Sequence, residues 1–185
     1  MAFVISGGNV ISYAEASDLR DKDQRVFEAN EFTLTNLPDA PPTLNDYIED
    51  LNIKATARIN QKIRASSQWL RYLGYTGQDY DTSNIPAFNP NYILARKSDF
   101  TDMCAYYTLK EYLLPRVADF GNPESAEVQK IEYYSRKFED LFQELLGMMD
   151  WYDFDGSGTL TDKDKLITVS RRKRSRSISS VVRVR

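Results

Sequence analysis

Apolar residues recur at three- and four-residue steps at Leu44, Tyr47, Ile48, Leu51, Ala55, Ile59, Ile63, Leu70 and Leu73. That spacing lines one face of a helix. Thr43 stands three positions before Asp46 and reads as a capping pair. Asp46, Glu49 and Asp50 come first and Lys54, Arg58, Lys62, Arg64 and Arg71 later, an order that complements the helix dipole. Gly74 supplies the stop. At ~1.5 Å per residue, a helix over 43–73 is a rod of roughly 45 Å. Its apolar stripe needs a second long helix, or neighbouring subunits, to cover it.

A second stripe runs through Val128, Ile131, Tyr134, Phe138, Leu141, Phe142, Leu145, Met148 and Met149. Asn122-Pro123-Glu124 is its start signal, with proline at the first helical position. This helix is the expected antiparallel partner of the first, and its aromatic and methionine residues read as core rather than as a cofactor box. Between the two, Gly74 to Pro90 is a loop whose aromatics (Tyr75, Tyr80, Phe88, then Tyr92) pack down or bind a partner. Ser98, Asp99 and Asp102 open a middle helix with an apolar face of Phe100, Met103, Cys104, Tyr107, Leu113 and Leu114, which Pro115 should end or kink.

At the front, Met1 to Val10 reads as a short extended arm. Ser12-Tyr13-Ala14-Glu15 opens a helix that runs in pieces to about Ala29, with a solvated or subunit-facing charge run from Asp18 to Arg25. The prolines of Asn36 to Pro42 make a connector. At the back, Leu166 to Val169 and Ile178 to Val184 are β-branched runs flanking a basic segment. The expected fold is mainly α: a helical bundle with two long antiparallel helices, plus a C-terminal β-hairpin or extended arm. Its parts are a bundle with a short N-terminal arm (1–150), a loop (151–165) and a basic arm (166–185).

Composition narrows the chemistry. The chain has 185 residues, enough for one domain with a core and an appendage. It has no histidine, so the commonest general base and metal ligand is missing. Cys104 is the only cysteine, which excludes an intrachain disulfide or a thiolate cluster, and its neighbours mark it as a buried small hydrophobe. Met1 to Ser12 is apolar but short and lacks a basic n-region, so it is not read as a signal peptide, and no run has the length of a membrane span. No nucleophile–base pair or phosphate-binding glycine loop is visible, and an enzyme is not expected. The net charge of −3 hides an asymmetry. Residues 171–185 hold seven basic residues and no acid; without them, 17 basic face 27 acidic residues, a body of −10. An acidic body with a basic arm suits an acidic partner, including a copy of itself.

Two stretches carry candidate chemistry. Asp153 to Asp164 fits the twelve-residue EF-hand loop, with oxygen donors from Asp153, Asp155, Ser157, the Thr159 carbonyl and Asp164, and Thr161 through water. Gly158 stands at the sharp turn. The last donor is Asp where the pattern has Glu, the following segment reads as strand, and no second loop pairs with it. A bound Ca²⁺ would be structural, and an Asp-Gly-Ser-Gly turn held by Asx-type bonds is the alternative. The second stretch is the arm, with Arg171, Arg172, Lys173, Arg174, Arg176, Arg183 and Arg185 as partner-binding candidates. It suits nucleic acid, or addition of a strand to a partner with arginines on an acidic surface. It has no aromatics to stack single-stranded bases.

The order of these features resembles the head-to-tail connector, or neck adaptor, proteins of tailed bacteriophages. The residues that carry the resemblance are Ile11-Ser12-Tyr13-Ala14-Glu15-Ala16 with the Asp18 to Arg25 run, the Asp46-Tyr47-Ile48-Glu49 start of a long helix, the aromatic helix Phe100 to Leu114 and the C-terminal arm. It covers roughly 11–150. The resemblance implies a structural virion protein, made in the host cytoplasm and located at the head–tail interface. It implies a homo-oligomeric ring, typically of twelve copies, between the portal protein and a stopper or tail-completion protein. DNA would pass through the lumen without sequence-specific binding. The competing readings are a calcium-binding regulatory module using 153–164 and a nucleic-acid-binding protein using the basic tail.

Overall fold

The N-terminal residues expected as an extended arm form a hairpin in the computed structural model, which describes residues 3–24, 43–75, 87–122, 124–148 and 150–161. Strand β1 (Val4–Ser6) pairs antiparallel with β2 (Asn9–Ser12), with Ile5 opposite Val10 and Ser6 opposite Asn9. Gly7 and Gly8 both take positive φ, 57° and 81°, which a two-residue type I′ turn requires at both central positions. In chain order the helices are α1 (Ala16–Lys22), α2 (Leu44–Ala65), α3 (Ser67–Tyr75), α4 (Lys97–Thr108), α5 (Leu114–Val117) and α6 (Ala126–Met148), with a 3₁₀ turn at Pro90–Tyr92 and a π-helical turn at Leu109–Leu113. The described chain is thus mainly helical with a small two-stranded antiparallel sheet. It divides into two compact units, Met1–Gln61 with Lys97–Gln143, and Lys62–Arg96 with Glu144–Arg185.

The first unit is built on the stripes that the sequence predicts. Ile48, Leu51, Ala55 and Ile59 of α2, Phe100, Met103 and Cys104 of α4, and Tyr134, Phe138 and Phe142 of α6 are all buried. Thr43 caps α2, accepting from the Asp46 N–H at 3.2 Å and donating to Asp46 Oδ2 at 2.6 Å. Phe3, Tyr13 and Phe100 form an aromatic triad with ring centroids 4.9 to 6.4 Å apart, which fixes the hairpin to α4. A polar network crosses this core. Asn52, fully buried, donates from Nδ2 to the Ala14 carbonyl (3.2 Å) and accepts from Thr108 Oγ1 (2.9 Å). Thr101 donates to the Tyr13 carbonyl (2.8 Å), and the Tyr13 N–H donates to Thr56 Oγ1 (3.1 Å). Burial in this setting pushes the Cys104 thiol up to about 11, so Cys104 is an inert small side chain.

Two details depart from the sequence pattern. Glu15, rather than Ser12, caps α1, its N–H donating to Asp18 Oδ2 at 2.8 Å. Ser12 bonds locally instead, its hydroxyl donating to the Ala14 carbonyl. Within the charge run, Asp23 is buried and its carboxylate accepts from Lys130 Nζ at 2.8 and 2.9 Å and from the Tyr134 hydroxyl at 3.4 Å. Burial, and then the Asp23 charge, hold the Tyr134 hydroxyl well above its usual range. The run's extension to Ala29 and the 36–42 connector lie outside the described residues.

Pro115 acts as expected, by a specific route. It lacks the N–H that would reach residue 111, and its ring would strike that carbonyl. The chain widens into the π turn Leu109–Leu113 before a last short helix, α5, ends at Val117. The next start is set by Ser125, whose Oγ accepts from the Val128 N–H at 3.3 Å, so α6 begins at Ala126, downstream of the Asn-Pro-Glu signal.

In the second unit the long rod is interrupted. Ser66 donates N–H and hydroxyl to the Ile63 carbonyl (3.0 and 2.7 Å) and then accepts the Trp69 N–H at 3.1 Å. One serine therefore closes α2 and caps α3. The break resets the phase: Trp69, Tyr72 and Leu73 are buried, while Leu70 is only half-buried. The helix also runs through Gly74 to Tyr75. The C-terminal β-hairpin or arm expected over 166–185 lies outside the described residues.

Candidate functional site

The loop singled out by its EF-hand spacing hangs from an aromatic corner of the second unit. Its first strand-like residues pair with the segment after the 3₁₀ turn: Ile93 bridges Tyr152, the Leu94 N–H donates to the Trp151 carbonyl, and the Asp153 N–H donates to the Tyr92 carbonyl, both at 2.9 Å. Trp151, fully buried, sends its indole N–H to the Leu145 carbonyl at 2.8 Å. Arg96, at φ 55°, turns the chain and pairs with Glu144 at 2.7 Å. Trp69 packs edge-on to Tyr152 (5.0 Å) and Phe88 (5.2 Å) and stacks on Phe154 (5.8 Å). Burial raises the Tyr152 hydroxyl to about 12.

From this anchor the loop closes around one carboxylate. Asp153 is buried, and its Oδ1 accepts the N–H groups of Gly156 (2.8 Å) and Ser157 (3.2 Å) while Oδ2 accepts that of Gly158 (2.8 Å). Asp155 Oδ1 accepts the Ser157 N–H (3.0 Å), and Ser157 Oγ donates to the Thr159 carbonyl (2.8 Å). Gly156 and Gly158 sit at φ 68° and 79°, a backbone conformation that residues with side chains rarely adopt. The turn is therefore closed by Asx-type bonds of its own.

Of the predicted donors, Asp153, Asp155, Ser157 and Thr159 fall in this one turn, Thr161 follows it in the chain, and Asp164 lies outside the described residues. Each carboxylate keeps lone pairs beyond those taken by the amides, and the set consists of the hard oxygens that Ca²⁺ takes. Among the described residues, no group of three or more Asp, Glu, Cys or His side chains is gathered as a metal cluster. The arm candidates Arg171, Arg172, Lys173, Arg174, Arg176, Arg183 and Arg185 also lie outside the described residues.

Sequence reasoning missed a cavity beside this loop. It has a volume of about 160 Å³ and is lined chiefly by Trp69, Leu73, Asn89, Tyr92, Tyr152 and Phe154. The Trp69 indole N–H is buried and has no hydrogen-bond partner among the described residues. The signal for it was Ser66, which both breaks α2 and caps α3 and so shifts the buried phase onto Trp69.

Compared with family models, with curated proteins and with solved structures, the chain matches none.

Proposed function

We propose that the chain is a neck adaptor subunit of a tailed bacteriophage, forming a ring between the portal and a stopper or tail-completion protein around the DNA channel. The observation that carries this reading is the order of elements: a short charged helix after Ser12-Tyr13-Ala14-Glu15, a long helix from Leu44, and an aromatic helix over Lys97–Thr108 continued to Val117. These are the stretches on which the resemblance rests. In this reading α2 and α6, of 22 and 23 residues, run antiparallel as the two long members of a bundle. Their outer faces meet adjacent copies, because helices of this length offer more surface than one bundle covers. A body of −10 keeps DNA from adhering to the channel wall, and a basic arm over 171–185 bridges to the acidic surface of a neighbour. The test is to mix the protein with the portal ring of its virus and view the particles by electron microscopy. A collar of density under the portal supports the reading, and bare portals at saturating protein overturn it.

A second reading concerns the loop alone. That Asp153, Asp155, Ser157 and Thr159 share one turn suits a structural Ca²⁺ that stiffens this corner within the same virion role. Calcium should raise the unfolding temperature and leave the far-ultraviolet circular dichroism unchanged. A large spectral change would instead favour a regulatory module.

A further inference from the structure

We propose that adjacent copies pack side by side, the outer stripe of α2 on one copy lying antiparallel along the outer stripe of α6 on the next. The proposal rests on the ring reading above and names the contact that would build the ring. On α2 the stripe is Glu49, Asp50, Ile53 and Lys54; on α6 it is Glu132, Tyr133, Arg136 and Lys137. All eight are exposed, and both sets share the i, i+1, i+4, i+5 spacing that keeps side chains on one helix face. Among the described residues, Glu49, Asp50 and Lys54 enter no ion pair, whereas Lys22, Asp23 and Lys110 of the same unit are all paired. On α6, Glu132 and Arg136 stand 3.8 Å apart, a loose exposed pair of little worth, and Lys137 lies over the Tyr133 ring at 5.7 Å.

Laid antiparallel, the two stripes match position by position. Glu49 and Asp50 meet Lys137 and Arg136, Ile53 meets Tyr133, and Lys54 meets Glu132. Ile53 and Tyr133, 39% and 53% exposed, make an apolar centre with opposite charges on either side, the arrangement of a protein interface. Laid parallel, the same stripes would set Glu49 against Glu132 and Lys54 against Lys137, so like charges exclude that orientation. Two copies of the α2 stripe would set Asp50 against Ile53, so α2 is matched by α6 and not by itself. The contact joins different patches of one molecule. It is therefore heterologous, and it propagates into a ring or filament.

Sedimentation velocity over a concentration series tests this with wild type and two double variants, Glu49→Lys with Asp50→Lys, and Arg136→Glu with Lys137→Glu. Circular dichroism checks that each variant is folded. Wild type should form species larger than dimers, and its assembly should weaken as salt rises. Each double variant sets like charges against each other at two positions and should associate at least about tenfold more weakly. Mixed one to one, the two variants should assemble again. Every contact between unlike variants then sets new lysines against new glutamates, or the native acids against the native bases. A change in the stability of one chain cannot produce that rescue. The proposal is overturned if either folded variant assembles like wild type, if the mixture assembles no better than the variants alone, or if wild type is monomeric at every concentration or stops at a dimer. Portal binding is scored separately by electron microscopy. A collar formed by either variant as readily as by wild type means that the contact is wrong and the ring reading stands. Bare portals with wild type, alongside rescue in the mixture, mean that the contact is right and the portal reading fails.

Discussion

Replacing Asn52 with leucine should destabilise the first unit far more than its similar size suggests. The side chain is fully buried and bonds in two directions, to the Ala14 carbonyl at 3.2 Å and from Thr108 Oγ1 at 2.9 Å. Leucine matches the volume but offers neither donor nor acceptor, so both side-chain bonds are lost, although the Ala14 carbonyl keeps its bond from the Ser12 hydroxyl at 2.8 Å. Two such bonds are worth about 1–3 kcal/mol together. The Thr108 hydroxyl can turn back to its own helix, as Thr101 does toward the Lys97 carbonyl at 3.1 Å, so its loss is partial. The net effect is about 1–3 kcal/mol, or a fall of roughly 2–12 °C in Tm at about 2–4 °C per kcal/mol for a chain of this size. Both tryptophans, Trp69 and Trp151, lie in the other unit. The assay is therefore urea unfolding followed by circular dichroism at 222 nm. A double-mutant cycle with Thr108→Val should give a coupling of at least about 0.5 kcal/mol. If Asn52→Leu stays within about 0.5 kcal/mol of wild type, or the coupling is nil, the network does not hold the hairpin segment to α2 and α4.

Three further outcomes follow from other features. Cys104 ionises at 9.0 when unfolded and at about 11 when buried. The stability it confers is whole below pH 9 and fades as pH rises through about 11, with about 1 kcal/mol lost by pH 10; Cys104→Ala should flatten that slope in unfolding curves between pH 8 and 10, and an unchanged slope would count against it. Asp153→Ala should cost about 2–4 kcal/mol by stranding the Gly156 and Gly158 N–H groups, Ser157 keeping its bond to Asp155, and should abolish any thermal shift by millimolar calcium, whereas Asp153→Asn, which keeps an acceptor for Gly156, should cost less; equal losses from both would refute the carboxylate's part in closing the turn. Deleting residues 171–185 should weaken self-assembly most at low salt, measured by light scattering. If the full chain instead binds duplex DNA with a steep salt slope that vanishes on deletion, the nucleic-acid reading gains.

Periodicity made much of the first unit legible, because Ile48, Leu51, Ala55 and Ile59, or Tyr134, Phe138 and Phe142, answer only to a helical repeat. What it could not supply was the local competition for backbone hydrogen bonds. Ser66 looks like any polar residue in a stripe, yet its hydroxyl outbids the helix at Ile63 and moves burial from Leu70 to Trp69. Pro115 announced a break, but not that a π turn would absorb it. Gly7-Gly8 was too short a signal until its positive φ pair closed a hairpin. At the candidate site, the spacing from Asp153 marked a carboxylate-centred turn, whereas the cavity depends on Trp69, Tyr92 and Phe154 meeting from three separate stretches, which spacing along the chain does not encode.

The most direct measurement is the mass and shape of the assembled protein, by light scattering and electron microscopy, alone and with the portal ring. The adaptor reading predicts a closed ring of many copies with an open lumen, formed alone or on the portal. A monomer that persists at high concentration and leaves the portal bare would contradict it.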